Sequence, residues 1–391
     1  MLARFAGRRH GPARIRTRMA LGIMAQSHND PGPQRTAEGV TVTLATCAKN
    51  EGRYLLEWIA HHEGLGFTEI VVYDNGSSDG SARTLAALDA LGRVKYRHQP
   101  DRPEFGPQLW AFTDAVLQSR SDWIVFLDLD EFLLLDEQRP IGDFLATFPD
   151  AVTQVFFNWR TFGSSGRVEP GFGLVMERFQ KAAPPGHPMN RLGKSATRRL
   201  AFHAVHVHAP YLSHGLSVHA DGTPMVLEDI QGRPVDIRYG GGRVNHYVVK
   251  SRHEFEEKKR RGRGDFPEGD PRKDRDADQY FTGHDRNEIA VPLPPGLAWR
   301  TRLRMARLAA GLLLVRLVPA LRRRVAALLR RDGSGQLRRL TKESLLHGVR
   351  DGVLIRPPSD IRRPAAKRGR TPAGPPAGRR PADAPKRSPA G

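Results

Sequence analysis

The sequence predicts an α/β domain built on a doubly wound, mostly parallel sheet with helices on both faces, followed by a C-terminal helix and a disordered tail. Two observations carry that expectation. Short β-branched or apolar runs alternate with helix-period segments from Val40 to about Trp159. The runs are nearly continuous in apolar residues, as in strands covered on both faces.

Each element has its own reason. Val40–Thr46 reads as the first strand. Tyr54, Trp58 and His62 fall on one helical stripe with Leu55 and Ile59 beside it, and Gly64 and Gly66 end that helix. Glu69–Tyr73 reads as the second strand, Asp79 can cap a helix through Leu91, and Val94–His98 is a third strand. Pro107–Ser119 follows as a helix with proline near its start, then Trp123–Leu127 as the fourth strand. In such a sheet the ligand crevice lies beyond the carboxyl ends of the strands.

Charge divides the chain further. The formal net charge of +20 is uneven: residues 1–37 hold 7 basic and 1 acidic side chain, residues 300–391 hold 24 and 5, and residues 38–299 hold 31 and 36. A folded part that gripped a polyanion would carry the excess itself, so a nucleic-acid enzyme is disfavoured. The expected organisation is a basic, disordered segment over 1–37, the α/β domain over 38–265, a polar linker over 266–299, a basic amphipathic helical segment over 300–355, and a disordered Pro/Arg/Ala-rich tail over 356–391. A single cysteine, Cys47, excludes an intrachain disulfide and a Cys-rich zinc module. It also fits a reducing compartment. The expected location is cytoplasmic, peripheral at the inner face of the cell membrane.

The sharpest chemical signal is Phe126-Leu-Asp-Leu-Asp-Glu-Phe132, three acids leaving an apolar strand. Carboxylates at such a mouth call for a cation, a donor network or an exposed rim. Mg²⁺ or Mn²⁺ suits them, since these ions take one or two carboxylates plus phosphate oxygens and water. Strand alternation would put Asp128 and Asp130 on one side and Glu131 on the other. Tyr73-Asp-Asn-Gly-Ser-Ser-Asp79 and Thr46-Cys-Ala-Lys-Asn-Glu51 also follow strands, so three strand ends deliver polar groups to one edge.

With Trp159–Gly166, Glu177–Phe179 and Asn245–Ser251, these segments resemble family-2-type glycosyltransferases of the GT-A fold, in the subgroup that shades into family 92. The likeness covers roughly residues 40–265. It implies a nucleotide-sugar donor such as a UDP- or GDP-sugar, a Mn²⁺ or Mg²⁺ ion and inversion at the anomeric carbon. It implies that Asp128 and Asp130 bridge the metal to the donor diphosphate and that Asp74 reads the nucleoside. Cys47, Lys49, Asn50, Glu51, Asn75, Ser77 and Asp79 would line the donor site. His246 is the further metal ligand, with His208 as its rival, and Lys250 and Lys194 are phosphate ligands. The base that takes the acceptor proton would be Glu177, with Glu131 second, although the usual Glu-Asp pair is missing at the expected place. Trp159, Phe162 and Trp110 are either sugar platforms or core.

The expectation is a bacterial-type enzyme moving a sugar to a hydroxyl of a glycan, lipid-linked or envelope acceptor, with no specific nucleic acid. Two alternatives stay open: nucleotidyl transfer on the same fold, and a non-enzymatic, tail-driven binder of membrane or nucleic acid. The helix near 300–331 reads either as an interfacial helix on anionic lipid or as a helix packed on the domain.

Overall fold

The computed structural model describes residues 39–99, 106–229, 232–261 and 277–330. The expectations for 1–37, 266–276 and everything past 330 lie outside the described residues.

Val42–Ala48 (β1) leads into Gly52–Glu63 (α1), Glu69–Asp74 (β2), Ser81–Ala90 (α2), Lys95–His98 (β3), Pro107–Gln118 (α3) and Trp123–Phe126 (β4). These are the expected elements, displaced by at most two residues at their ends. Next come Glu131–Leu135 (β5), Ile141–Ala146 (α4), Val152–Thr161 (β6), Val175–Arg178 (α5), Lys181–Ala182 (β7), Gly193–Arg198 (β8), Phe202–Ala204 (β9), Tyr211–Leu212 (β10) and Leu216–His219 (β11). Gly242–His246 (β12), Arg252–Arg261 (α6), Ala277–His284 (α7), Ile289–Ala290 (β13), Leu297–Leu317 (α8) and Pro319–Arg330 (α9) complete the described chain.

The main sheet runs β3-β2-β1-β4-β8-β6-β12-β5, with β11 beside the first half of β6. β3, β2, β1 and β4 are parallel; β8 is antiparallel to both its neighbours, and β5 is antiparallel to β12. The GT-A-like expectation of a mostly parallel α/β sheet is therefore the architecture observed, with two reversed strands. Their reversal matters. β8 and β5 begin at the edge where β1, β2, β4, β6 and β12 end.

Both faces are covered. On one, Leu44, Trp58, Leu85, Val125 and Leu308 belong to the large core beneath α1, α2 and α8. On the other, Ala45, Tyr73 and Phe126 pack with Ala111, Phe112 and Ala115 of α3. At roughly 25 cal/mol per Å² of apolar area removed from water, these two layers are the main favourable term in folding.

Two expectations are corrected. The polar linker is partly structured: α7 stacks Tyr280 and Phe281 on Phe255, and β13 pairs with β7. Two aromatic contacts and a strand pairing outweigh a loop-like composition. The C-terminal segment is two helices, because Val318 is extended and Pro319, lacking an N–H, can only start a new helix. Among the described residues no helix is long and apolar enough to cross a membrane.

α1 buries two adjacent histidines. His61 Nε2 donates to the Leu133 carbonyl at 2.7 Å; His62 Nδ1 donates to the Trp58 carbonyl and its Nε2 accepts from the Leu133 N–H. That pattern needs a neutral His62 ring, whose Nε2 accepts. Burial drives His61 down to about 4 from an ordinary 6.5. Such a group binds fewer protons folded than unfolded, so its stabilisation is complete above about pH 6.5 and is lost as pH falls through about 4. The melting temperature should fall steeply across that window, and His61→Gln, which can keep the bond to Leu133, should flatten the fall. An unchanged slope in the variant would remove His61 from the account.

Candidate functional site

Asp128 and Asp130 sit on a turn between β4 and β5, and Glu131 opens β5. β4 stops at Phe126, and the Glu131 N–H closes the turn on the Asp128 carbonyl at 3.0 Å. Three further bonds fix it. The Trp58 indole N–H lies 3.0 Å from the Asp128 carbonyl and 2.9 Å from that of Glu131, and the Tyr247 N–H donates to the Asp130 carbonyl. The alternation expected of Asp128, Asp130 and Glu131 is therefore corrected: turning the chain sends Asp128 and Glu131 together and Asp130 elsewhere.

Asp128 and Glu131 share a cation. Lys194 Nζ, at the start of β8, lies 3.2 Å from a carboxylate oxygen of each. Gln108 also donates to Asp128. Glu131 accepts the Asp128 N–H at 2.7 Å and the Trp159 indole N–H at 2.8 Å. Its side chain is fully buried with every oxygen engaged, so the expectation of Glu131 as base is corrected: it braces the turn. Burial pushes it up to about 8 against the pull of Lys194. Burial would lower Lys194, yet Asp128 and Glu131 outweigh it and hold the ammonium charged.

Asp130 has different neighbours. Lys258 of α6 pairs with it, and His246 Nε2, at the end of β12, lies 3.8 Å away. Burial would raise Asp130, but Lys258, with Lys250 behind it, holds it well below the carboxylate range. Burial drives His246 down to about 3, so the imidazole is neutral and its Nδ1 has no hydrogen-bond partner. Lys250 is buried with a left-handed φ of 56°, and its Nζ lies 4.3 Å from the Tyr54 ring centroid. Tyr54 donates to Glu254, whose carboxylate takes both Arg178 prongs at 2.9 Å. That buried set fixes the start of α6.

The loops after β1 and β2 are laced together. Asn50, at a φ of 53°, donates its N–H to Ser77 Oγ at 2.8 Å and accepts the Ser78 N–H at 2.7 Å. Asp79 accepts the Gly52 and Ser81 N–H groups at 2.8 and 3.0 Å. Asp74 and Asn75 are buried at the end of β2, with the Ser77 N–H on Asp74. Burial raises Asp74 against the bonds from Ser77. Glu51 is buried, Cys47 and Lys49 half-buried. Asp79 and Ser77 thus shape the rim, and Asp74 with Asn75 forms its floor.

Other expectations fall away from the edge. Glu177 is gripped by Arg302 of α8 at 2.6 and 2.5 Å and accepts the Leu174 N–H, so the expected base instead ties α5 to the C-terminal helix. Trp159 is buried, its ring 4.2 Å from that of His246 and 5.1 Å from that of His208; Phe162 stacks on Tyr247, and Trp110 is buried. All three are core, not sugar platforms. His208 Nδ1 lies 3.1 Å from the Gly193 carbonyl. Among the described residues no three His, Cys, Asp or Glu side chains gather as a metal cluster. Of the expected set Asp128, Asp130 and His246, the structure brings Asp130 beside His246, while Asp128 faces Lys194.

Sequence reasoning missed Lys258, Gln108 and the Arg178–Glu254 pair. A signal for one existed: Lys250, Glu254 and Lys258 recur every four residues, the stride of one helix face. Gln108 had none.

Residues 38–225 match the sequence model of Glycosyltransferase family 92. This stretch is similar to the glycosyltransferases of family 92. A family 92 protein of Oryza sativa subsp. japonica is 28% identical over 153 residues, 37% of this chain and 25% of that protein. One from Ricinus communis is 34% identical over 140 residues, 32% of this chain and 24% of it, and one from Arabidopsis thaliana is 28% identical over 139 residues, 34% and 24%. The chain spans about a quarter of the length of these plant relatives. Among solved structures, S. aureus TarS overlaps 41% of this chain and 48% of its own at 16% identity and a TM-score of 0.29. Glucosyl-3-phosphoglycerate synthase from Mycobacterium tuberculosis overlaps 42% and 60% at 19% identity and 0.25. Overlaps this partial say nothing about the site. The match falls on the family 92 side of the expected resemblance, and it includes the turn that carries Asp128 and Asp130.

Removing one partner of a buried ion pair strands the other. Lys194→Met should cost roughly 3–5 kcal/mol in urea unfolding, and adding Glu131→Leu should restore part of it. Equal stability of Lys194→Met and wild type would deny the ammonium its place in holding the turn.

Proposed function

We propose that this chain transfers a sugar from a nucleoside-diphosphate donor, a UDP- or GDP-sugar, to a hydroxyl of a glycan or lipid-linked acceptor. The observation that carries the reading is the ring of cations about the 127–130 turn. Lys194 from β8 and Lys250 and Lys258 from the stretch after β12 lie at the edge where β1, β2 and β4 end. Two aspartates alone would repel a diphosphate; with these ammonium groups the edge can accept one.

Each part then has a role. Asp74, Asn75 and the 76–79 loop hold the nucleoside, as polar groups at the ends of parallel strands commonly do. A Mn²⁺ or Mg²⁺ ion fits beside Asp130 and the neutral His246, with the one-third-exposed Asp128 as the open carboxylate; hard divalent ions favour such oxygen donors, and donor phosphates would complete the set. The ion would offset charge on the departing diphosphate. Lys250 would meet phosphate oxygens, while Lys194, held between Asp128 and Glu131, would offset charge from beneath. Lys258 occupies Asp130 and would exchange that carboxylate for phosphate when donor and ion enter.

Thermal shift with UDP-glucose, UDP-N-acetylglucosamine and GDP-mannose, each with Mn²⁺, tests the donor class. One of them should raise the melting temperature increasingly with concentration, as a ligand of the native state must. Asp130→Asn should lose that shift and donor turnover by about 100-fold or more at a temperature where the variant, which strands Lys258, is still fully folded. A variant that hydrolyses the donor at the wild-type rate, or a release of pyrophosphate from a nucleoside triphosphate in place of nucleoside diphosphate, would overturn the reading.

A further inference from the structure

α8 is apolar on two opposite sides. Its inner side is spent on the domain: Thr301, Leu308 and Val315 are buried, and Met305 and Leu312 pack on the core. The outer side repeats the same spacing. Trp299, Leu303, Ala306, Ala310, Leu313 and Leu317 follow one another at intervals of four and three residues, which keeps them on one helix face, and all six are exposed. Trp299 is 67%, Leu313 58% and Leu317 71% exposed, with Leu314 beside them. At 1.5 Å per residue the stripe is about 27 Å long. Scattered exposed leucines need no explanation, but an unbroken stripe of this length marks an interaction surface.

The charges beside it select the partner. Residues 297–330 contain nine arginines and no acid. Arg302 is committed to Glu177, and Arg324 lies 3.8 Å from Asp89. Arg307 and Arg316 flank the stripe on its two sides, and Arg322 and Arg323 follow at the start of α9, all exposed. A second copy of the chain docked here about a twofold axis would set this arginine-rich face against its own image. An anionic surface would not.

We propose that the outer face of α8, with the first turn of α9, docks on the headgroup region of an anionic lipid bilayer. The leucines and Trp299 enter the acyl boundary, and Arg307, Arg316, Arg322 and Arg323 meet lipid phosphates, the arrangement of an in-plane interfacial helix. This inference does not depend on the donor reading.

Trp299 reports on it directly, because the other four tryptophans, Trp58, Trp110, Trp123 and Trp159, are buried. With the full chain, vesicles of phosphatidylcholine plus phosphatidylglycerol should shift tryptophan emission to the blue, and brominated lipid should quench it. Pure phosphatidylcholine vesicles should do neither. Leu313→Glu with Leu317→Glu should weaken sedimentation with the mixed vesicles by about tenfold or more at an unchanged melting temperature. Arg316→Ser with Arg323→Ser should weaken it too without touching the apolar stripe. No emission change, or undiminished binding by both double variants, as expected if the basic ends of the chain do the binding, overturns the proposal. So does a dimer in sedimentation that the leucine variant dissolves.

Discussion

A single ammonium group, Lys194 Nζ, sits 3.2 Å from both Asp128 and Glu131, and the edge of the sheet is arranged around it. Two carboxyl groups three residues apart repel one another when ionised and are costly to bury, and a cation between them offsets both costs. The antiparallel direction of β8 supplies it, because β8 begins at the edge where its parallel neighbours finish. Trp58 and Trp159, from α1 and β6, then satisfy the two carbonyls and the remaining Glu131 oxygen. A side chain named in the sequence as a base is thereby a structural brace.

Asp130 stands outside that closed set. Its partners, Lys258 and His246, arrive on α6 and β12, elements far along the chain from the turn. The Asp130 carboxylate is held by the Lys258 side chain, whereas that of Glu131 is also held by a backbone N–H and an indole N–H. The contrast between Glu131 and Asp130, one residue apart, is set by which way the turn faces each of them.

Much of the architecture was legible. Apolar runs with β-branched residues mark buried strands because both faces of the sheet are covered, and the stripe of Tyr54, Trp58 and His62 marks α1 because one face of a helix must be buried. The convergence of the three polar strand ends followed from topology alone. Less legible was anything set by a turn or by distant partners: the direction of Asp128 against Asp130, the capture of Glu177 by Arg302, and the burial of Trp159 between two histidines. α7 was hidden because its support, Phe255, lies across a polar stretch of sequence.

The chain by itself determined the kind of edge this protein has: acids, small polar residues and lysines delivered to the ends of parallel strands, since local hydrophobic period and strand direction decide where those ends lie. It also determined, through the break at Pro319 and the absence of acids from 297–330, that the last described helices are basic. Only the tertiary structure decided which acid is locked and which is exchangeable, because that depends on partners brought in by β8, β12 and α6. It alone also showed that α8 carries two apolar stripes of equal spacing, one spent on the core and one left outside. Periodicity records that a residue is apolar every three or four places; packing decides which of two such faces the domain covers.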